Sequence, residues 1–302
     1  MLSIKKYAAI DIGSNAIRLL IANIIEQHGK PTMFKKSSLV RVPIRLGSDV
    51  FLHNEITEEN IQRMIDAMRA FKLLMGINKV ERYKACATSA MREADNRAYV
   101  SNLILRKSNV VIDIIDGEEE AAIIAATDLH MFIDNDKTYL YVDVGGGSTE
   151  FTIIHNGISV ASRSFKIGTV RLLNDIVKKQ AWLELEAWIK TKVNNFQGKI
   201  EVIGSGGNIN KIFKISGKAV GKPLTYFYLT AYYNMLQSHS YEERITELDL
   251  NQDRADVIIP AMRIYLSAMK WSGAKHIYVP KIGLADGIIK SMYYETVSSN
   301  TQ

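Results

Sequence analysis

A chain of 302 residues, 47% hydrophobic and 23% charged, has the composition of a globular protein, with length for two domains and a sizeable core in each. Lysine and arginine outnumber aspartate and glutamate by 38 to 32; the excess suits a polyanionic ligand, but no dense basic run, zinc finger or basic region accompanies it, so nucleic acid is not an expected partner. The single Cys86 excludes an internal disulfide framework and a cysteine-based zinc site, and no apolar stretch has the length of a signal or a membrane span; a soluble, cytoplasmic protein with no membrane partner is expected.

Residues 7–12 and 17–25 read as the strands of a hairpin, and 32–44 as further strand leading to Arg45-Leu-Gly. A helix is expected over 57–74: Thr57 can cap it, Ile61, Met64, Ile65, Met68, Phe71 and Leu74 recur at helical spacing, and Gly76 stops it. The strand 82–87 delivers Thr88-Ser-Ala-Met-Arg-Glu-Ala to its carboxyl end, where ligands sit in open α/β sheets. Arg92 is therefore a candidate phosphate clamp, against the plainer reading of a surface salt bridge to Glu93 or a nearby acid. A helix over 96–107 and a buried strand over 110–115 lead into Asp116-Gly-Glu-Glu-Glu-Ala-Ala. Three glutamates at the start of a helix over 118–130 complement its positive end, and one of them would point into a cleft as a carboxylate able to orient and deprotonate water. The domain boundary is expected here, giving domains 1–124 and 125–302.

Residues 139–151, Tyr-Leu-Tyr-Val-Asp-Val-Gly-Gly-Gly-Ser-Thr-Glu-Phe, form a second strand-turn-strand. Its glycines bring backbone N–H groups near an anion, Ser148 and Thr149 add hydroxyls, and Asp143 before the turn suits a hard cation such as Mg²⁺. This stretch aligns without a gap on the N-terminus: Asp11 matches Asp143, Gly13 matches Gly145, and Arg18 falls opposite Glu150. The duplication points to two similar α/β halves facing each other across a cleft. Arg18 would clamp phosphate, whereas Glu150 would orient a metal or a water.

Residues 157–167 continue the second sheet, Gly168-Thr-Val-Arg-Leu opens a helix, and 182–196 form another with Trp182, Leu185, Trp188, Ile189 and Val193 as its buried stripe. Strand 200–203 runs into Gly204-Ser-Gly-Gly-Asn-Ile-Asn-Lys, a glycine turn that offers a further place for phosphate or nucleoside contact. Helices over 226–237 and 254–271, the latter bent at Pro260, a strand over 276–279 and a helix to about 294 complete the chain. The six histidines show no metal-ligand spacing, and neither a Gly-x-Ser-x-Gly elbow nor a Walker Gly-Lys-Ser/Thr occurs.

Asp11-Ile-Gly-Ser-Asn-Ala-Ile-Arg-Leu, Ala87-Thr-Ser-Ala-Met-Arg-Glu-Ala, Asp116-Gly-Glu-Glu-Glu-Ala, Asp143-Val-Gly-Gly-Gly-Ser-Thr-Glu and Gly283-Leu-Ala-Asp-Gly together resemble the exopolyphosphatase and guanosine pentaphosphate phosphatase family. The resemblance implies two actin/Hsp70/sugar-kinase-like (ribonuclease H-like) α/β domains flanking a central cleft. It implies a Mg²⁺-dependent hydrolase releasing terminal phosphate from polyphosphate, guanosine pentaphosphate or both, with guanosine tetraphosphate a further ligand, and it allows a homodimer. In its terms Asp143, with Asp11 as its counterpart, would hold the metal, Glu150 would help place the water, and Glu120 would be the base, with Glu119 as the competing assignment. Ser14, Asn15, Arg18, Arg92, Gly145, Gly146, Gly147 and Ser148 would hold phosphate. Longer members append a helical domain with a His-Asp signature, and no His-Asp dipeptide occurs in this sequence. A sugar-kinase-like or ATPase protein, or an alarmone-binding regulator without turnover, would use the same turns.

Overall fold

The computed structural model describes residues 2–299 apart from 126, 128–133 and 135. The chain divides into two compact units, Met1–Thr127 with Leu284–Gln302, and Asp128–Gly283. The second unit therefore ends at Gly283 instead of running to the end of the chain, because the C-terminal helix packs with the first.

The first unit is a five-stranded sheet of β1 (Leu2–Ile12), β2 (Ile17–Gln27), β3 (Met33–Val42), β4 (Arg82–Ala87) and β5 (Asp113–Ile114), in the order β3-β2-β1-β4-β5. Between these strands lie α1 (Leu46–His53), α2 (Glu58–Ile77), α3 (Ser89–Glu93) and α4 (Arg97–Ser108), followed by α5 (Gly117–Ala125). Thr57 accepts the Asn60 N–H at 3.4 Å and starts α2 as expected. Strand alternation sends Ala8, Ile10, Ile12, Ile17, Leu19 and Ile21 to one face, where they pack on Ile61, Met64, Ile65, Met68 and Phe71 of α2. Of the strand expected over 110–115 only β5 pairs, since Cys86 and Ala87 of β4 reach just Asp113 and Ile114. The helix expected over 118–130 is described as α5; of its expected remainder, 126 and 128–130 lie outside the described residues.

The second unit holds β6 (Thr138–Val144), β7 (Thr149–His155), β8 (Ile158–Phe165), α6 (Thr169–Leu173), α7 (Lys179–Val193), β9 (Ile200–Ser205), α8 (Gly207–Ile215), β10 (Leu224–Thr225), α9 (Tyr226–Gln237), α10 (Tyr241–Thr246), α11 (Gln252–Ala255), α12 (Ile258–Ser272) and β11 (His276–Tyr278). Its sheet order, β8-β7-β6-β9-β11-β10, repeats that of the first unit and adds β10 at the edge. In both sheets the first three strands are antiparallel and the fourth runs parallel to the first. Leu140, Val142, Val144, Phe151 and Ile153 form the core with α7 and α12, at the places that Ala8, Ile10, Ile12, Leu19 and Ile21 hold in the first sheet. Even the irregularity recurs: the register of β2 on β3 shifts between Ile21 and Ala22, and that of β7 on β8 between Ile153 and Ile154, the same place in the aligned repeats. The fold is thus the expected duplicated α/β architecture.

The single bent helix expected over 254–271 is two helices, α11 and α12. Pro260 stands in the first turn of α12, where a missing N–H leaves no intrahelical bond unmade, so the helix starts near the proline instead of kinking at it. No helix among the described residues is long and apolar enough to cross a membrane.

The last helix, α13 (Leu284–Ser299), belongs to the first unit and docks there through Gly287, where a Cβ would overlap the backbone carbonyl of Ile123 in α5. Tyr293 further along α13 donates to Glu26 Oε1 of β2 at 2.7 Å. Gly287→Ala is expected to cost about 1–3 kcal/mol by overpacking, read by urea denaturation. Gly76→Ala, at a helical position with open space around it, is the counterpart and should gain about 0.5–1 kcal/mol.

Candidate functional site

Each unit presents its chemistry at the turn that joins its first two strands. In the first, Gly13 N–H donates to Ala16 O at 3.2 Å; in the second, Gly145 N–H donates to Ser148 O at 3.0 Å. Gly145 does not adopt positive φ; a Cβ there would stand 3.0 Å from the Ser148 carbonyl oxygen, so the missing side chain lets the turn close.

From these turns the register places Asp11 directly opposite Arg18, and Asp143 directly opposite Glu150. Cross-strand partners share a face of the sheet. In the first unit the pair is an ion pair, Arg18 Nη1 to Asp11 Oδ2 at 2.6 Å, with Asp11 buried. Asp11, expected at a metal, holds Arg18. In the second unit the pair is two carboxylates, with Glu150 only 3% exposed. Ser148 Oγ and Ser164 Oγ both donate to Glu150 Oε1, at 2.7 and 2.8 Å. Ser148 was expected to hold phosphate, yet its one hydroxyl hydrogen points to Glu150, which leaves its backbone N–H for an anion. Thr149, the other hydroxyl of the turn, donates to Ile167 O at 2.5 Å.

The glycine turn of the second unit is held from behind by α6. Thr169 N–H donates to Gly145 O at 3.0 Å, Val170 N–H to Gly146 O at 2.9 Å, and Arg171 Nε to Gly147 O at 2.7 Å. A Cβ on Gly168 would overlap the Gly146 carbonyl, which explains the glycine at that position. These bonds fix the carbonyls of Gly145, Gly146 and Gly147 on the α6 side.

Asp143 lies beside the turn from β9 to α8. In parallel register it sits opposite Ser205. Gly206, at φ 118°, continues that turn, and a Cβ there would come 2.8 Å from Val144 O and 3.6 Å from Asp143 Oδ1. The first residues of α8 thus begin next to the Asp143 carboxylate, and the third glycine turn expected from the sequence is part of this site. Tyr265 of α12 donates its hydroxyl to Ser205 O beneath it. Burial, with the Asp143 charge adding to it, pushes the phenols of Tyr141 and Tyr265 well above their ordinary value.

In the first unit Ser14 Oγ and Ser89 Oγ are 2.9 Å apart and buried, which joins the hairpin turn to the start of α3. Asn15 O accepts from Arg45 N–H at 3.2 Å, and Ser14 O from Gly47 N–H at 2.8 Å. Arg92 donates from Nη1 to Ile115 O at 2.6 Å, so it ties α3 to the chain just before Asp116. Asp116 Oδ1 caps α5 by accepting Glu118 N–H at 2.9 Å and Glu119 N–H at 2.8 Å. Glu118 and Glu119 are exposed, whereas Glu120 is buried at 9% exposure. The three glutamates therefore face different surroundings, as residues about 100° apart around a helix must. Cys86, between β1 and β5 in the sheet, is buried and its thiol is pushed up to about 12 by that burial, which leaves it without thiolate chemistry at neutral pH.

Among the described residues no group of three or more His, Cys, Asp or Glu side chains could hold a metal. Asp143 and Glu150 do fit a hard cation: two carboxylates on one face, directly opposite, repel each other until a cation or donor network offsets their charge.

Sequence reading missed Ser164, Gly206, Tyr265 and Arg171. Gly206 was visible as part of a glycine turn, and Arg171 as part of a helix start. Ser164 and Tyr265 gave no sequence signal, because each acts through a partner more than ten residues away.

The model of the Ppx/GppA phosphatase family matches residues 20–295. A guanosine-5'-triphosphate,3'-diphosphate pyrophosphatase of Photobacterium profundum is 28% identical over 97% of this chain and 59% of its own length. An exopolyphosphatase 2 of Mycobacterium tuberculosis is 32% identical over 57% of this chain and 54% of its own. The chain thus spans little more than half the length of these curated relatives. The crystal structure of an Aquifex aeolicus Ppx/GppA family member superposes with a TM-score of 0.76 at 25% identity, covering 97% of this chain and 99% of that one.

The buried phenols generate a pH dependence with a fixed sign. The unfolded chain ionises tyrosine near pH 10, while the folded protein keeps Tyr141 and Tyr265 protonated, so stability is retained below pH 10 and falls above it. Urea denaturation between pH 8 and 11 should show a loss of up to about 1.4 kcal/mol per pH unit per tyrosine. Tyr265→Phe should shallow that slope and cost about 1–3 kcal/mol at neutral pH, since the Ser205 carbonyl loses its donor.

Proposed function

Because this chain belongs to the Ppx/GppA phosphatase family, we propose that it is a phosphoanhydride hydrolase that releases terminal orthophosphate from inorganic polyphosphate, from guanosine pentaphosphate, or from both. The observation that carries the reading is the pair of carboxylates, Asp143 and Glu150, set opposite each other at the end of a glycine turn whose counterpart in the first unit carries Arg18 instead. The names of the matched relatives supply the substrate classes.

In this reading Asp143 would hold Mg²⁺, and the bound ion would offset charge on the phosphoryl oxygens. The residues of the chain do the rest. Arg18, Arg92, Ser14, Asn15 and the backbone N–H groups of Gly146, Gly147 and Ser148 hold phosphate oxygens. Glu150 orients the attacking water, and Glu120 takes its proton. The water oxygen bonds to the terminal phosphorus as the bond to the bridging oxygen breaks, and the shortened chain leaves with that electron pair. No covalent intermediate is required, since positioning and charge neutralisation supply most of the barrier lowering in such transfers. Tm and substrate-binding measurements separate these roles from folding.

Purified protein with Mg²⁺ should release orthophosphate from polyphosphates of several lengths or from guanosine pentaphosphate. Transfer of phosphate from ATP to an acceptor, or tight alarmone binding with no release, would replace the hydrolase with a kinase-like protein or a regulator. Glu120→Gln should lower the rate by about 10²- to 10⁴-fold while the protein stays folded and binds substrate. Glu119→Gln, at an exposed position, should leave the rate nearly unchanged; the reverse pattern moves the base by one residue.

The asymmetry of the two turns gives a second expectation. Arg18→Ala should chiefly raise KM, because the clamp acts on bound substrate and transition state alike, whereas Glu150→Ala should chiefly lower kcat. Steady-state kinetics on the two variants reads the difference, and equal effects on both constants would show no division of labour.

A further inference from the structure

We propose that Ser164 is a positioning residue for Glu150: with Ser148 it holds that carboxylate in the orientation the hydrolysis uses, an inference that rests on the functional reading above. Both hydroxyls donate to the same oxygen, Glu150 Oε1, at 2.7 and 2.8 Å. A hydroxyl has one hydrogen to give, so each serine is committed to the carboxylate as donor. One donor comes from the turn and the other from the neighbouring strand, so together they fix the side chain from two directions. Glu150 itself is buried.

The duplication supplies an internal control. In the first unit, Arg18 replaces Glu150, and the two positions from which the hydroxyls reach it carry other residues. Ala16 stands where the second turn has Ser148, and Arg41 stands opposite Arg18 where Ser164 stands opposite Glu150. The same backbone without the carboxylate has neither hydroxyl. Core packing does not ask for a serine at 164 either, because its side chain leaves the exposed edge strand β8 on the face away from Phe165. The pair of serines therefore accompanies the chemistry of Glu150, not the fold.

The placement also depends on a local irregularity. Ile154 pairs with Ser159 and Ile153 with Ala161, so Val160 is an extra residue in β8. Counted straight from the turn at Asn156 and Gly157, Glu150 would face Arg163. The bulge brings Ser164 there instead and sends Arg163 opposite Phe151, with its guanidinium 4.7 Å from the Phe165 ring centroid. At that cross-strand position the carboxylate thus faces a neutral hydroxyl donor in place of an arginine.

The test is a double-mutant cycle on orthophosphate release, run with Ser164→Ala, Ser164→Thr, Glu150→Gln and the Ser164→Ala/Glu150→Gln pair. Ser164→Ala should lower kcat about tenfold, the scale of one hydrogen bond to a charged group, with KM unchanged within about twofold; Ser164→Thr should recover most of the loss. In the Glu150→Gln background Ser164→Ala should have no further effect, because the group it positions is gone. An equal loss in both backgrounds, a change in KM alone, or wild-type kcat in Ser164→Ala overturns the inference. Should the wild-type protein release no orthophosphate, the functional reading fails by itself, and crystal structures decide the positioning. Glu150 Oε1 displaced in a Ser148→Ala/Ser164→Ala variant supports it, and an unmoved carboxylate refutes it.

Discussion

One backbone hydrogen bond closes each hairpin, Gly13 N–H to Ala16 O in the first unit and Gly145 N–H to Ser148 O in the second, and every cross-strand pair of the site is counted from it. Side chains alternate along a strand with a period of two, so a slip of one residue would turn Asp143 and Glu150 into the core and Val142 and Phe151 out of it. The apolar residues prevent that slip. Burial of Leu140, Val142, Phe151 and Ile153 against α7 and α12 locks the register, and the polar face follows as a consequence. In the second unit α6 adds a further restraint by hydrogen-bonding all three carbonyls of the glycine run through Thr169, Val170 and Arg171.

The two units show what a duplicated fold holds fixed and what it leaves free. Sheet order, turn closure and the bulge in the second strand pair are the same in both. The side chains that the shared register presents are not. The row Asp11, Arg18, Arg41 carries two cations beside one carboxylate, while the row Asp143, Glu150, Ser164 carries two carboxylates and a hydroxyl. Backbone geometry thus puts a charged pair at each turn, and the residue types decide that one is an ion pair and the other a pair of carboxylates. Two carboxylates directly opposite each other repel, so the second row needs donors such as the Ser148 and Ser164 hydroxyls around it, whereas the Asp11–Arg18 pair is an ion pair in itself.

Where the structure departs from local sequence signals, packing is the cause. Pro260 marks the first turn of α12 instead of a bend, because the chain turns at Asp256 and Val257 before it. The strand expected over 110–115 is cut to Asp113 and Ile114, which pair with Cys86 and Ala87 at the end of β4. The C-terminal helix leaves the second unit for the first, where Gly287 meets α5 and Tyr293 meets Glu26. No local pattern in Gly283-Leu-Ala-Asp-Gly states that destination, because a helix of moderate amphipathicity records that it packs but not against what.

The sequence by itself determined the hairpins, their duplication, the cap on α2, the third glycine turn and the correspondence of Asp11 with Asp143 and of Arg18 with Glu150. These are short-range features, set by alternation, glycine and a gapless alignment, so the chain states them within a dozen residues. Tertiary structure decided which of three adjacent glutamates is buried, since that depends on what packs around α5 and not on the run itself. It also decided that Ser148 turns its hydroxyl to Glu150, that Tyr265 lies beneath the Asp143 turn, and that a bulge at Val160 brings Ser164 in place of Arg163 to the carboxylate. A bulge is one extra residue whose position is fixed by the twist and packing of neighbouring strands, and no residue type in the strand announces it.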